Sequence, residues 1–350
     1  MSDRSISIAI LGAGRWGVHL IRNFVRHPRT RVVAVVDPHP ERLAEARSRL
    51  DDDSSVLLAT DWQQLDELRD LDAVAIATPA STHYELILSA LKRNWHVLAE
   101  KPLTLDPRQC VEIADLARQR DRRLFVDHTY LFHPAINAGK EAIARVGSLR
   151  YGYATRTHLG PVRGDVDALW DLAIHDLVIF NTWLGQTPVS ARATGQIWLQ
   201  SQMTEADAIA RNLYPQGLAD LVWATVTYAN GFQGCIHLCW SNPDKQRRLA
   251  VVGDRGTLIF DEMAREAPLT FKRGRLERQG DRWIPDDQGT EIIPVGSDEP
   301  LAQVCDRFVR WIDDPGAIAT SDGAFAAKLV EILNALTRSL QEGGREISIS

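Results

Sequence analysis

The segment Gly12-Ala13-Gly14-Arg15-Trp16-Gly17 constrains the fold of this chain more than any other. The apolar run Ile6-Ser7-Ile8-Ala9-Ile10-Leu11 precedes it and reads as a buried strand. A helix-like stretch, Val18 to His27, follows. A second apolar run, Arg31 to Val36, then ends in Asp37. Strand, glycine turn, helix, strand and acid is the order of a dinucleotide-binding unit. Its glycines allow a tight turn, close approach of backbone to a pyrophosphate, and close packing of helix on strand. The free N–H groups and dipole at the helix start favour the phosphates. Asp37, twenty residues beyond Gly17, is placed to hold an adenosine ribose diol. A carboxylate there repels a 2′-phosphate, which favours NAD over NADP. Arg42, close by, works against that preference.

Composition narrows the function classes. A chain of 350 residues can bury the cores of two domains. A net charge of −6 with no basic stripe excludes a nucleic-acid partner as the expected reading. The longest apolar runs are strand-sized, so no membrane span is expected. The start Met1-Ser2-Asp3-Arg4 leads straight into the first strand and leaves no room for a signal peptide. Cys110, Cys235, Cys239 and Cys305 lack paired zinc-ligand spacing, so reduced thiols in a cytoplasmic protein and no metal are expected.

Short apolar runs continue to alternate with helical ones. Val56 to Ala59, Ala73 to Ala77, His96 to Ala99 and Leu124 to Val126 read as strands. Tyr84 to Arg93 and Arg108 to Arg120 read as helices. This alternation predicts an α/β fold with a doubly wound parallel sheet. Beyond Gln186 the pattern turns to strands: Val189 to Leu199, Leu221 to Tyr228, Gly234 to Trp240, Arg248 to Val252 and Leu258 to Asp261. Helices are expected at Leu301 to Asp313 and Gly323 to Gln341. We therefore expect a nucleotide-binding domain over 1–128 and a substrate-binding α+β domain over 129–350, sharing a cleft. The last helix, about 323–341, is expected to pack back on the first domain.

Ligands of open α/β sheets sit outside the carboxyl ends of the strands. Thr78-Pro79-Ala80-Ser81-Thr82-His83 follows one strand, and Glu100-Lys101-Pro102 follows the next. Gly12, Gly14, Arg15, Trp16, Gly17, Asp37, Thr78, Pro79, His83, Glu100 and Lys101 are thus the expected cofactor contacts. Pro102 restricts Lys101 to an extended backbone. A lysine held beside a cationic nicotinamide ring suits proton transfer near neutral pH. In the second half, Asp171 and His175 are four apart in Trp170-Asp171-Leu172-Ala173-Ile174-His175-Asp176-Leu177. On a helix they share a face, so the carboxylate can orient the imidazole. Asp176 falls about 100° away and reads as a structural partner. His128 and Tyr130, after the sixth strand, and Arg163, before the catalytic helix, are candidate substrate contacts.

Taken together, these features resemble the Gfo/Idh/MocA oxidoreductases, over essentially the whole chain. The carriers are the glycine turn, the acid after the second strand, Ala77-Thr78-Pro79 with His83, Glu100-Lys101-Pro102, and Asp171 with His175. The resemblance implies an N-terminal Rossmann domain and a C-terminal domain built on a large, mostly antiparallel sheet. The open face of that sheet commonly forms homodimer or homotetramer contacts. It also implies bound NAD and proton transfer by Lys101, Asp171 and His175. Val126-Asp127-His128-Thr129-Tyr130 and Trp240…Pro243…Lys245 resemble a branch that oxidises sugars carried on nucleotides. The alternatives are a free polyol dehydrogenase of the inositol type and a non-catalytic NAD-binding regulator. Retention of Lys101, Asp171 and His175 together counts against a regulator.

Overall fold

A computed structural model describes residues 4–50, 55–201, 213–314, 316–317 and 320–349. The chain divides into two compact units, Met1–Thr129 with Glu299–Val330 and Tyr130–Asp298 with Glu331–Ser350. The expected second domain is therefore not continuous, because 299–330 belongs with the first unit and the division falls inside the last helix. The signal-peptide argument rests on residues 1–3, which lie outside the described residues. Among the described residues no helix is long and apolar enough to cross a membrane.

The first unit alternates strand and helix: β1 (Ile6–Leu11), α1 (Gly17–Arg26), β2 (Thr30–Val36), α2 (Pro40–Ser48), β3 (Leu57–Ala59), β4 (Ala73–Ile76), α3 (Ala80–Lys92), β5 (His96–Glu100), α4 (Pro107–Gln119) and β6 (Leu124–Asp127). The strands form one parallel sheet in the order β3-β2-β1-β4-β5-β6. The order reverses beside β1, so the glycine turn opens at the switch point where such sheets bind ligands. β1, β4, β5 and β6 are buried along their whole length. That is why they read as unbroken apolar runs rather than alternating ones. Burying each Val, Leu or Ile there contributes about 1.5–3 kcal/mol. Asp106 caps α4 by accepting the Arg108 N–H at 2.8 Å, and Pro107 occupies the first turn. Farther along the chain α7 (Pro300–Asp313) and the start of α8 (Gly323–Gln341) complete this unit. Ser321 and Asp322, just before α8, bond β6 through Ser321 O to the Val126 N–H at 2.8 Å and a bridge to Phe125. Gly323 has Leu124 and Ala114 against it, with no room for a Cβ.

The second unit holds α5 (Pro134–Ala142), β7 (Leu149–Leu159), α6 (Ile174–Leu184), β8 (Pro188–Gln196), β9 (Leu221–Tyr228), β10 (Gln233–Cys239), β11 (Ser241–Gly253), β12 (Gly256–Asp261), β13 (Leu269–Gln279), β14 (Arg282–Ile292) and β15 (Ile347–Ser348). The strands form one mixed sheet, β14-β13-β12-β11-β7-β10-β9-β8-β15, antiparallel except at β7–β10. The β13–β14 hairpin was not expected from the sequence. Its strands are largely exposed, so no apolar run marks them.

One face of this sheet is covered. Phe180 of α6 lies where a Cβ on Gly152 or Gly234 would sit, and Trp183 fills the space beside Gly139 of α5. The opposite face carries Tyr151, Tyr153, Thr155, Trp223, Thr225, Cys235 and His237, which alternate with buried neighbours along β7, β9 and β10. Cys235 is exposed and the other three cysteines are buried, all as free thiols.

Candidate active site

The glycine turn of the first unit fits a pyrophosphate. Gly12 has φ +94°, and a Cβ on it would meet Ala77 O at 2.6 Å. A Cβ on Gly17 would lie 1.8 Å from Gly12 O. Only glycine tolerates either position. Gly14 differs, because a Cβ there meets nothing nearer than Arg42 Nη1 at 3.9 Å. The space outside Gly14 is thus open to a ligand, and Arg15 and Trp16 beside it are exposed. Gly17→Ala is expected to weaken NAD binding at least about tenfold, or ~1.4 kcal/mol, by calorimetry. Unchanged affinity would contradict this reading of the turn.

Asp37 stands at the end of β2, almost fully buried. Its Oδ2 accepts the Ala13 N–H at 2.8 Å and its Oδ1 accepts the His39 N–H at 3.0 Å. The acid therefore ties the second strand to the glycine turn. Arg42 Nη1 lies 3.6 Å from Asp37 Oδ2, a partial counter-charge on the side of the turn.

The expected contacts after β4 and β5 are brought together by His83. Its Nδ1 lies 2.9 Å from Pro102 O and its Nε2 lies 3.0 Å from Thr78 O. The ring is 1% exposed, so it joins the two loops rather than reaching outward. Thr78 and Thr82 share a 2.7 Å hydroxyl contact, and Pro79 is exposed. Lys101 is half-buried at the end of β5, and its peptide bond to Pro102 is cis.

His128 follows β6 and is buried, with Nδ1 2.7 Å from Ser321 Oγ. Burial lowers its pKa to about 3, so the ring is neutral at ordinary pH. This places His128 in the interior of the first unit rather than on a surface open to a sugar.

In the second unit Asp167 caps the segment carrying the other candidates, accepting the Trp170 N–H at 3.0 Å. Leu169–Ala173 is a π-helical turn that passes directly into α6. Asp171 sits on this wider turn and His175 on the first turn of α6. π-helical segments of this kind are frequent at functional sites. Asp171 Oδ1 accepts from Arg163 Nη1 at 3.2 Å, and Arg163 Nε donates to Asp165 Oδ1 at 2.8 Å. Arg163 is therefore engaged by two carboxylates. It ties the loop before α6 to the turn that carries Asp171, a structural engagement that the reading of Arg163 as a candidate substrate contact did not include. His158, at the end of β7, has a buried Nδ1 without a partner. Burial lowers its pKa, while the charge of Asp171 opposes the shift.

Behind His175 lies a network that the sequence reading missed. The Tyr130 ring is 5.0 Å from the His175 ring, centroid to centroid. The Tyr130 hydroxyl donates to Glu262 Oε2 and accepts from Arg156 Nη1 at 2.8 Å. Arg156 also grips Asp176 through Nε at 3.1 Å and Nη2 at 2.9 Å, with both side chains almost wholly buried. Arg247 donates to Glu262 Oε1 at 2.7 Å. Burial pushes the Tyr130 hydroxyl up to about 12, so it stays protonated as a donor. Tyr130 is thus a wall and brace for His175. One signal for this was present in the sequence. Gly152, Ala154 and Arg156 share the covered face of β7, and an inward-facing arginine needs a carboxylate.

A Rossmann sheet with an open glycine turn, joined in one chain to a large mixed sheet bearing an Asp–His helix, defines a dinucleotide-dependent oxidoreductase. Residues 6–128 match the model described as oxidoreductase family, NAD-binding Rossmann fold, and residues 150–259 match the GFO/IDH/MocA C-terminal domain. The chain belongs to the Gfo/Idh/MocA oxidoreductase family, and its first sheet is that family's NAD-binding domain.

It is 34% identical to the UDP-N-acetylglucosamine 3-dehydrogenase of Acidithiobacillus ferrooxidans over 47% of this chain and 51% of that protein, so the match spans about half the relative's length. It is 26% identical to the inositol 2-dehydrogenase of Rhizobium meliloti over 99% of this chain and 100% of that one. In fold it is similar to the WlbA dehydrogenase of Bordetella pertussis, solved in complex with NADH and UDP-GlcNAcA, with a TM-score of 0.76 and 19% identity over 99% of both chains.

Proposed function

We propose that the chain is an NAD-dependent dehydrogenase that oxidises a ring hydroxyl of a nucleotide-linked sugar. The observation that carries this is His175, set one turn beyond Asp171 and braced by the Tyr130 ring. An imidazole so held, with a carboxylate nearby, is equipped to take a hydroxyl proton. The glycine turn, Asp37, Thr78 and Pro79 are the residues that would hold NAD, which supplies the hydride acceptor when bound. In the proposed step the substrate O–H bond breaks and its proton passes to an imidazole nitrogen of His175 or to Lys101 Nζ. Asp171 stabilises the charged imidazole, and Arg163 holds Asp171 in place.

Similarity to a UDP-N-acetylglucosamine 3-dehydrogenase supports the nucleotide-sugar class. The match to an inositol 2-dehydrogenase along nearly the whole chain supports free polyols as the second reading. Incubating the protein with NAD and panels of UDP-sugars and of inositols, and following NADH absorbance, separates the two. We expect turnover with a UDP-sugar and little with inositols. The reverse would assign the chain to polyols, and NADH from neither panel would remove the proposal.

A homo-oligomer formed through the open face of the second sheet is part of the same reading. That face carries stacked Tyr151–Tyr153 and Trp223–His237 pairs, with Trp223 54% exposed. Aromatic residues of this kind are enriched in the cores of interfaces.

A further inference from the structure

The first unit holds a pair of acids that the proposed reaction does not yet use. β5 and β6 run side by side, and their register sets Glu100 opposite Asp127 at the last paired position. Both side chains are buried, 9% and 2% exposed. Glu100 Oε1 and Asp127 Oδ2 have no hydrogen-bond partner. Thr129 Oγ1 donates to Asp127 Oδ1 at 2.8 Å. The two carboxyl groups bond each other, and the Lys101 N–H donates to Glu100.

Two carboxylates in contact and out of water cannot both ionise cheaply. Burial, then the charge of Asp127, raises the pKa of Glu100 well above the usual range. Burial likewise raises that of Asp127 to about 6, against the pull of Thr129, Glu100 and Lys101. The other groups facing the pair do not remove the proton. His128, after β6, is neutral. Cys305 of α7 remains a thiol, held so by its burial and by Asp127, Glu299, Glu100 and Asp306. Among the described residues, Lys101 is a cation that acts on both acids.

We propose that Glu100 and Asp127 share a single proton and are the proton-exchange partner of Lys101. The inference rests on Lys101 taking part in the proposed proton transfer. Before the substrate reacts, an N–H bond of the Lys101 ammonium breaks and an O–H bond forms on the Asp127 carboxylate. Lys101 is then the amine that can accept the substrate proton, the acid pair is neutral, and the charge of the three groups together is unchanged by the exchange. No oxidant or reductant is involved. Both acids are positioning residues, acting on substrate only through Lys101.

The shared proton is read in the ligand-free protein by infrared spectroscopy in D2O at pH 7. Burial also raises the pKa of Asp167 to about 7, so the reading is a difference: a buried carboxylic-acid C=O band that is present in the wild type and lost in Glu100→Gln, over any band left by Asp167. A wild-type spectrum without that band shows both acids ionised and overturns the proposal. The exchange role is read by turnover of the isosteric variant Asp127→Asn. Its kcat is expected to fall at least about tenfold, with NAD affinity unchanged and a larger solvent deuterium isotope effect. Wild-type kcat and isotope effect in that variant would overturn the exchange role. Should no sugar support turnover by the wild type, the proposed function fails by itself, while the spectrum still decides whether the proton is shared.

Discussion

Replacing His175 with alanine is expected to lower kcat by roughly 10²–10⁴, the range for loss of a general acid–base group. Lys101→Ala is expected to fall in the same range. NAD affinity should survive His175→Ala, because the glycine turn and Asp37 belong to the first unit. Asp171→Asn should cost less than His175→Ala if its carboxylate only orients and stabilises the ring. Residues that act as one unit are not additive, so Lys101→Ala with His175→Ala should be little worse than the poorer single variant. Steady-state kinetics on the sugar that supports turnover measure all four. Near wild-type kcat in either alanine variant would remove that residue from the assignment.

Arg156→Ala is expected to have the largest effect on stability. The guanidinium is buried and spends its donors on Asp176 and Tyr130. Burial already raises the pKa of Asp176, and Arg156 opposes that shift. Removing the arginine leaves an uncompensated buried carboxylate, a change that costs about 3–5 kcal/mol. The expected result is a lower urea midpoint for the transition of the second unit, with an unchanged slope. Replacing Arg156 and Asp176 together with Met and Leu should recover much of the loss, since a buried pair exchanged for apolar side chains is often near neutral. The single variant should also lower kcat, because Tyr130 loses the partner that sets it against His175. A midpoint equal to that of the wild type would show that the pair does not hold this part of the second unit.

The first unit was legible because its chemistry is local. A strand buried on both faces must be an apolar run, and a turn that admits no Cβ must be glycine. β1 to β6 and the turn before α1 could therefore be read one segment at a time. The second sheet was legible where one face is covered, as in β9 and β10. It was not legible in β13 and β14, whose exposed faces leave no periodic signal.

The candidate site divides in the same way. Lys101, Asp171 and His175 were visible as residues and spacing. Their supports were not, because a partner such as Glu262 for Tyr130 is 132 positions away in the chain. Arg163 reads from sequence as a candidate substrate contact, and only the fold shows Asp165 and Asp171 engaging it. His128 reads as polar and available, yet the segment before α8 closes over it. The discontinuity of the first unit is a further case, since nothing in the composition of 299–330 separates it from its neighbours.

The central claim is that hydride moves from a sugar carbon to NAD under the control of this chain's own base. The direct test uses the UDP-sugar that supports turnover, with deuterium on the carbon bearing the reacting hydroxyl, and NMR of the nicotinamide C4 position after one turnover. The account predicts deuterium at C4 with the wild-type protein, and its appearance slowed at least about a hundredfold in His175→Ala. NADH without deuterium at C4, or transfer at the wild-type rate in His175→Ala, would contradict it.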